Sequence, residues 1–178
     1  MAVCLIDKDV LKSNVCGYSL GSINRIFLAN YDEVSATAID TTSGQVVTAI
    51  TMANGARYYK IDPARNSASW TDELVVEDSG AKYRTQTVNF NVIGSYTKEL
   101  ADVVDALSLG KYNVVLEKND GTYVMLGRNA GLEATVVTVG GADDNSTVNG
   151  IQATLVANTA EVALPLSEAA IAVVKGGE

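Results

Sequence analysis

The chain has 178 residues, 13 Lys and Arg against 21 Asp and Glu, no histidine, and a formal net charge of −8. Such a length fits one domain, or one domain with an arm, able to bury about 70% of its unfolded surface without disulfides. The acidic balance is the reverse of what gripping nucleic acid by its phosphates requires. The missing histidine removes the usual general base, the Ser-His-Asp arrangement and the commonest metal ligand.

Residues 1–22 read as an N-terminal arm, or a short helix from Asp7 to Ser13, ahead of the glycines Gly17 and Gly21. Cys4 and Cys16 are the only cysteines and form no CxxC pair, so they read as reduced thiols or as a bridge clipping the arm. No charged leader with an apolar run and no apolar stretch of about 18 residues is present, so a soluble chain without a cleaved signal or membrane partner is expected. Ile23 to Val34 reads as a strand buried on both sides, ending at the acidic turn Asp32-Glu33. Val46 to Met52 and Arg57 to Asp62 read as two arms of a hairpin about Ala53-Asn54-Gly55-Ala56. Tyr58 and Tyr59, between Arg57 and Lys60, suit base stacking or cross-strand pairing, and the acidic chain favours pairing. Ser69 to Glu77, with the only Trp at Trp70, reads as a strand closed by Asp78-Ser79-Gly80.

Lys82 to Arg128 forms a strand, a helix and a hairpin in sequence order. Tyr83, Thr85, Thr87, Asn89 and Asn91 alternate with Arg84, Gln86, Val88, Phe90 and Val92, the period of a half-buried strand. From Thr97 to Leu109 the apolar residues Leu100, Val103, Val104 and Leu107 recur at helical spacing, with Thr97 as cap and Gly110 as stop. Lys98, Glu99, Asp102 and Asp105 occupy the opposite side, as candidates for subunit contact. On this pattern Val103→Asp unfolds the chain, while reversing Glu99 spares the fold and weakens assembly. Tyr112 to Lys118 alternates, Asn119-Asp120-Gly121 turns, and Thr122 to Arg128 returns.

Leu132 to Val139 and Ile151 to Ala157 read as further strands around an acidic loop holding Asp143, Asp144 and Asn145. The spacing in that loop does not match a calcium-binding loop, so no bound ion is expected. Ala163 to Val174, broken by Pro165, reads as a final strand followed by a short helix or an extended tail. Gly17-Tyr18-Ser19-Leu20-Gly21 lacks the Lys of a phosphate loop, no G-x-S-x-G elbow occurs, and the adjacent acids fall in turns, so neither catalysis nor a cofactor is expected. Residues 129–174 contain no Lys or Arg while holding Glu133, Asp143, Asp144, Glu161 and Glu168, either a solvated face or one sign of charge facing a channel. The expected architecture is mainly β: a β-sandwich or barrel over residues 23–166, one flanking α-helix at about 97–109, and a C-terminal tail over 167–178.

The order from Thr85-Gln86-Thr87-Val88-Asn89-Phe90 through the helix, Asp120-Gly121-Thr122-Tyr123, Leu126-Gly127 and Gly131-Leu132-Glu133-Ala134 to Gly150-Ile151-Gln152-Ala153-Thr154-Leu155 resembles the tail-tube proteins of tailed bacteriophages. Within that family it is most similar to virion proteins of phages of Bacteroides-type bacteria, including ring proteins of the crAss-like group. The resemblance covers about half the chain, roughly Tyr83 to Leu166, and carries no catalytic motif. It implies a tail-tube-like structural protein of the virion, assembled in the host cytoplasm into a homo-oligomeric ring of six or twelve. Other tail or neck proteins would be neighbours, and genomic DNA would pass through without specific binding. Asp143, Asp144 and Glu133 would then contribute to an acidic channel or loop surface. An exterior decoration or fibre-attachment protein and a carbohydrate-binding β-sandwich are the alternative expectations; the single Trp and the absence of a leader speak against the second.

Overall fold

The computed structural model describes residues 22–42, 45–95, 97–140 and 150–176. The arm with Cys4 and Cys16 and the loop with Asp143 and Asp144 lie outside these residues. The fold is mainly β, with antiparallel sheets and two α-helices among the described residues.

The strands are β1 (Ile23–Asn30), β2 (Val34–Asp40), β3 (Val46–Met52), β4 (Tyr59–Ile61), β5 (Ser69–Val76), β6 (Lys82–Ile93), β7 (Lys111–Lys118), β8 (Tyr123–Leu126), β9 (Leu132–Gly140), β10 (Gly150–Thr159) and β11 (Leu164–Pro165). Helix α1 (Lys98–Leu109) lies between β6 and β7, and α2 (Glu168–Lys175) follows β11. Nine strands form one sheet in the order β11-β8-β7-β9-β10-β6-β5, with β1 bridging β7 and β4, while β2 and β3 pair separately.

β7 organises this sheet. It pairs with β1 along most of its length, with β8 through Val114–Glu117, and with β9 through Lys111 and Tyr112. The expected one-sided alternation is overturned: every residue from Tyr112 to Leu116 is buried. The reason is a hydrophobic cluster on each face. Val114 and Leu116 join Ile26, Leu28, Val88, Phe90, Leu126 and Leu155 in one cluster, so side chains from both halves of the sheet meet there. Val115 and Phe27 turn the other way, to Val47, Ile50, Met125, Leu164, Ala170 and Val174. β1, expected to be buried on both sides, is so from Ile26 to Ala29.

Several local expectations need correction. The strand read as Ile23 to Val34 ends at Asn30; Tyr31–Glu33 form a 3-10 turn and the chain reverses into β2. The turn at Ala53–Ala56 forms, with Gly55 at φ +81, yet its flanking strands do not pair. β3 pairs instead with β2, and β4 with β1, because the second cluster draws β3 across the sheet face while Ile61 packs into the first. At the C-terminus the alternative that forms is a short helix. Ser167 caps α2 by accepting from the Ala170 N–H, and Ala170 and Val174 are buried against the second cluster. Pro165 sits in β11, paired only with β8, where a missing N–H is tolerated.

β6 behaves as its alternation predicts, with Gln86, Val88 and Phe90 buried. α1 is capped by Thr97, whose Oγ accepts from the Leu100 N–H at 3.3 Å. Its apolar stripe is narrower than the spacing implies: only Leu107 is buried, Leu100 and Val104 are half-buried, and Val103 is 49% exposed. The helix packs chiefly along β9, with Leu107 in the first cluster and the Ala106 carbonyl bonded to the Tyr112 hydroxyl, and leaves its other apolar positions wholly or partly open to water. The expected unfolding by Val103→Asp is therefore withdrawn.

The β7–β8 turn has Gly121 at φ +82, and Asp120 accepts from both the backbone N–H and the hydroxyl of Thr122. These bonds hold its carboxyl down at about 2. A depressed carboxylate contributes stability that is present above its unfolded pKa and lost as pH falls through the folded one, so this turn loosens only in strong acid. An NMR titration should place the Asp120 midpoint near 2. In chemical denaturation, Leu107→Ala should cost about 2–4 kcal/mol and Val103→Asp less than about 1 kcal/mol.

Candidate functional site

Strands β5, β6, β10 and β9 are consecutive antiparallel neighbours, and one face of this four-stranded unit is turned away from the clusters. The registers pair Gln152 with Asn91 and Thr138, Thr154 with Asn89, and Asn158 with Thr85. Ser69 and Thr71 continue the rows opposite Asn89 and Thr87. This outer face is a field of hydroxyls and amides, some bonded to one another: the Thr154 hydroxyl donates to Asn89 Oδ1 at 2.7 Å and the Thr85 hydroxyl to Asn158 Oδ1 at 3.0 Å. Among the described residues no Lys or Arg of these four strands projects from it; its charges are Glu73 and Glu133, the latter 3.3 Å from Lys111 on the adjoining β7, and Tyr83, Val75, Val136 and Val156 interrupt the polar rows. The alternation in β6 predicts half of this face. Its continuation through Gln152, Thr154 and Asn158, with Val156 between the last two, carries the same period-two signal.

The face is held in place by a buried amide. Gln86, on the opposite side of β6, donates from Nε2 to the Glu161 carbonyl at 3.1 Å and accepts from the Gly127 N–H at 2.8 Å. Gly127 has φ +69, and a side chain there would collide with Leu132, so the chain can pass this close only with glycine. Glu161 receives a two-pronged bond from Arg128 at 2.6 and 2.7 Å, and Arg128 also donates to the Thr37 hydroxyl at 3.0 Å. Nearby, Asp72 accepts from Arg84 Nε at 2.7 Å and from the Ala163 N–H at 2.7 Å.

Lys98, Glu99, Asp102 and Asp105 are all exposed along α1, so the structure brings these four together on one solvent face. The described acidic residues of the last third, Glu133, Glu161 and Glu168, are not brought together. Glu133 stands on β9, 3.3 Å from Lys111; Glu161 is engaged by Arg128; Glu168 lies in the first turn of α2. With Asp143 and Asp144 outside the described residues, only Glu133 of these carboxylates reaches the outer face. Glu161 is unavailable because its charge neutralises a guanidinium in the core's polar margin.

The tyrosine pair does not offer a stacking platform. Tyr58 is buried, its hydroxyl donates to Asn113 Oδ1 at 2.9 Å, and burial pushes its phenol pKa up. Tyr59 is exposed beneath Arg57, whose guanidinium lies 5.1 Å from the ring centre. A groove of about 480 Å³ beside residues 129–131 includes Lys111, but that ammonium is already shared between Glu133 and the Tyr31 ring.

Two substitutions separate scaffold from surface. Gln86→Leu leaves the Gly127 N–H and Glu161 carbonyl without partners and should cost about 2–4 kcal/mol in denaturant melts. Glu99→Lys, on an exposed side chain in the first turn of α1, should cost under about 1 kcal/mol. Comparison with family models, curated proteins and solved structures finds no match to this chain.

Proposed function

We propose that the chain is a non-enzymatic structural subunit of a phage tail tube or head-to-tail ring, closing with copies of itself around a channel for the genome. The observation that supports this reading is the outer face of β5-β6-β10-β9, which among the described residues bears mostly hydroxyls and amides, with Tyr83, Val75, Val136 and Val156 between them, and no Lys or Arg of its own strands; its carboxylates are Glu73 and Glu133, the second paired with Lys111 of the adjoining β7. Duplex DNA carries one negative charge per about 1.7 Å, and each cation that neutralises a phosphate adds to the grip. A passage must touch DNA without holding it. Hydroxyls and amides keep water at the wall and exchange hydrogen bonds at little net gain, and the net charge of −8 opposes condensation of DNA on the subunit.

The fold supports the same reading. A first cluster filled from both halves of the sheet, with α1 along β9, suits the two-layered β-sandwich with a flanking helix that the tail-tube resemblance implies. Weak attraction in such a channel would come from the hydroxyl-amide face, with Glu133 at its margin, rather than from a concentrated acidic wall.

Purified protein should form rings or short tubes in negative stain and scatter light accordingly; a stable monomer at high concentration would overturn the reading. Assemblies should not retard duplex DNA at about 0.1 M salt. Asn91→Lys combined with Thr138→Lys, which flank Gln152 across the face, should leave folding intact and produce retardation that weakens as salt rises. Tight DNA binding by the unmodified assembly would sink the conduit and leave an exterior role.

A further inference from the structure

We infer that the β2–β3 hairpin and the segment from Leu164 to Lys175 form one cooperative cover over the second cluster, which opens as a unit while the first cluster and the strands around it stay folded. The inference rests on the fold alone and stands whether or not subunits close into rings.

The hairpin has little hold of its own on the main sheet. Among the described residues β2 and β3 form a ladder only with each other, and after β2 the elements lying closest to β3 are α2 and β11. Its backbone is tied to that same segment: Val47 forms a parallel bridge with Leu166, and the Ser167 N–H donates to the Val47 carbonyl at 2.9 Å. The bond from Arg128 to the Thr37 hydroxyl adds a side-chain tie. The segment in turn joins the sheet through Leu164 and Pro165 against β8 and through the Leu166 N–H, which donates to the Tyr123 carbonyl at 3.1 Å.

Ser167 couples the two parts. Its hydroxyl accepts from the Ala170 N–H to cap α2 and donates to the Thr48 carbonyl at 3.1 Å, so one side chain starts the helix and holds the strand. Neither part stands alone: a helix of 8 residues is too short to persist in water, and an isolated two-stranded hairpin is marginal there. Loss of one therefore removes the support of the other.

Polar groups are left over beneath the cover. Four buried side-chain atoms among the described residues have no hydrogen-bond partner: Glu33 Oε2, Asn113 Nδ2, Glu117 Oε2 and Tyr123 Oη. Asn113 and Glu117 share the face of β7 that carries Val115 into the second cluster, Tyr123 belongs to that cluster, and Glu33 stands at the entry to β2. None belongs to the first cluster. Opening returns water to these atoms, which offsets part of the cost of uncovering Phe27, Val115 and Met125. Local unfolding starts at such a boundary.

The test is amide hydrogen exchange of the full chain, followed by NMR without denaturant. Amides of β3 and α2 should exchange with one opening constant, at least about 10-fold larger than that of β6 and β10. Ser167→Ala should raise the opening constant of both elements by the same factor, about 3- to 10-fold, and leave β6 and β10 unchanged. Ile50→Val, which trims β3 within the second cluster, should speed α2 as much as β3. Faster exchange of α2 alone in the Ser167→Ala variant would reduce that residue to a helix cap and overturn the cover. So would protection of β3 and α2 equal to that of β6 and β10, or an acceleration by either variant that spread evenly to all four elements.

Discussion

The fold depends on the amide of Gln86. It is 2% exposed, and its two functional atoms reach two chain segments far away in sequence, the turn after β8 and the turn after β10. A buried amide that satisfies a backbone N–H and a backbone carbonyl at once fixes distance and direction in a way that leucine packing does not. It holds the outer four-stranded unit against the strands of the opposite half, and it sits where the apolar cluster gives way to the bonds of Arg128, Glu161, Arg84 and Asp72. Those ion pairs are partly shielded from water, so their worth lies more in fixing the turns than in net stability.

From that margin inward, β7 divides the molecule. Its two buried faces let one strand serve two clusters, which allows the β2–β3 hairpin and α2 to stack on one side while the four-stranded unit covers the other. This layering frees one sheet face for solvent or a partner. The interior needs none of the side chains on that face, so selection on it can follow what it touches. In this chain that surface is mostly hydroxyls and amides, with Glu73 and Glu133 as its carboxylates.

The helix α1 shows how a surface can be stabilising and available at once. One buried residue, Leu107, anchors it to the first cluster, and the Tyr112 hydroxyl donates to the Ala106 carbonyl near its end. The charged side from Lys98 to Asp105 is left open to solvent. A helix held by so few contacts can be altered on its outer side at little cost to the core.

What the sequence by itself determined was local. The alternation in β6, the capped helix after Thr97, the turn at Asp120-Gly121 and the buried run in β1 each follow from residue spacing, because side-chain direction has a fixed period in strands and helices. Half of the outer face was legible in the same way. Only the tertiary structure decided which strands pair: the turn at Asn54-Gly55 forms, but the burial available in the second cluster outweighs the local hairpin and sends β3 to β2 and β4 to β1. It likewise decided that Tyr112 to Leu116 is enclosed on both faces, that Val103 is open, and that Glu161 is bound to Arg128 instead of joining an acidic wall. These outcomes depend on what lies across the gap from a side chain, and periodicity along one segment carries no information about the segment opposite.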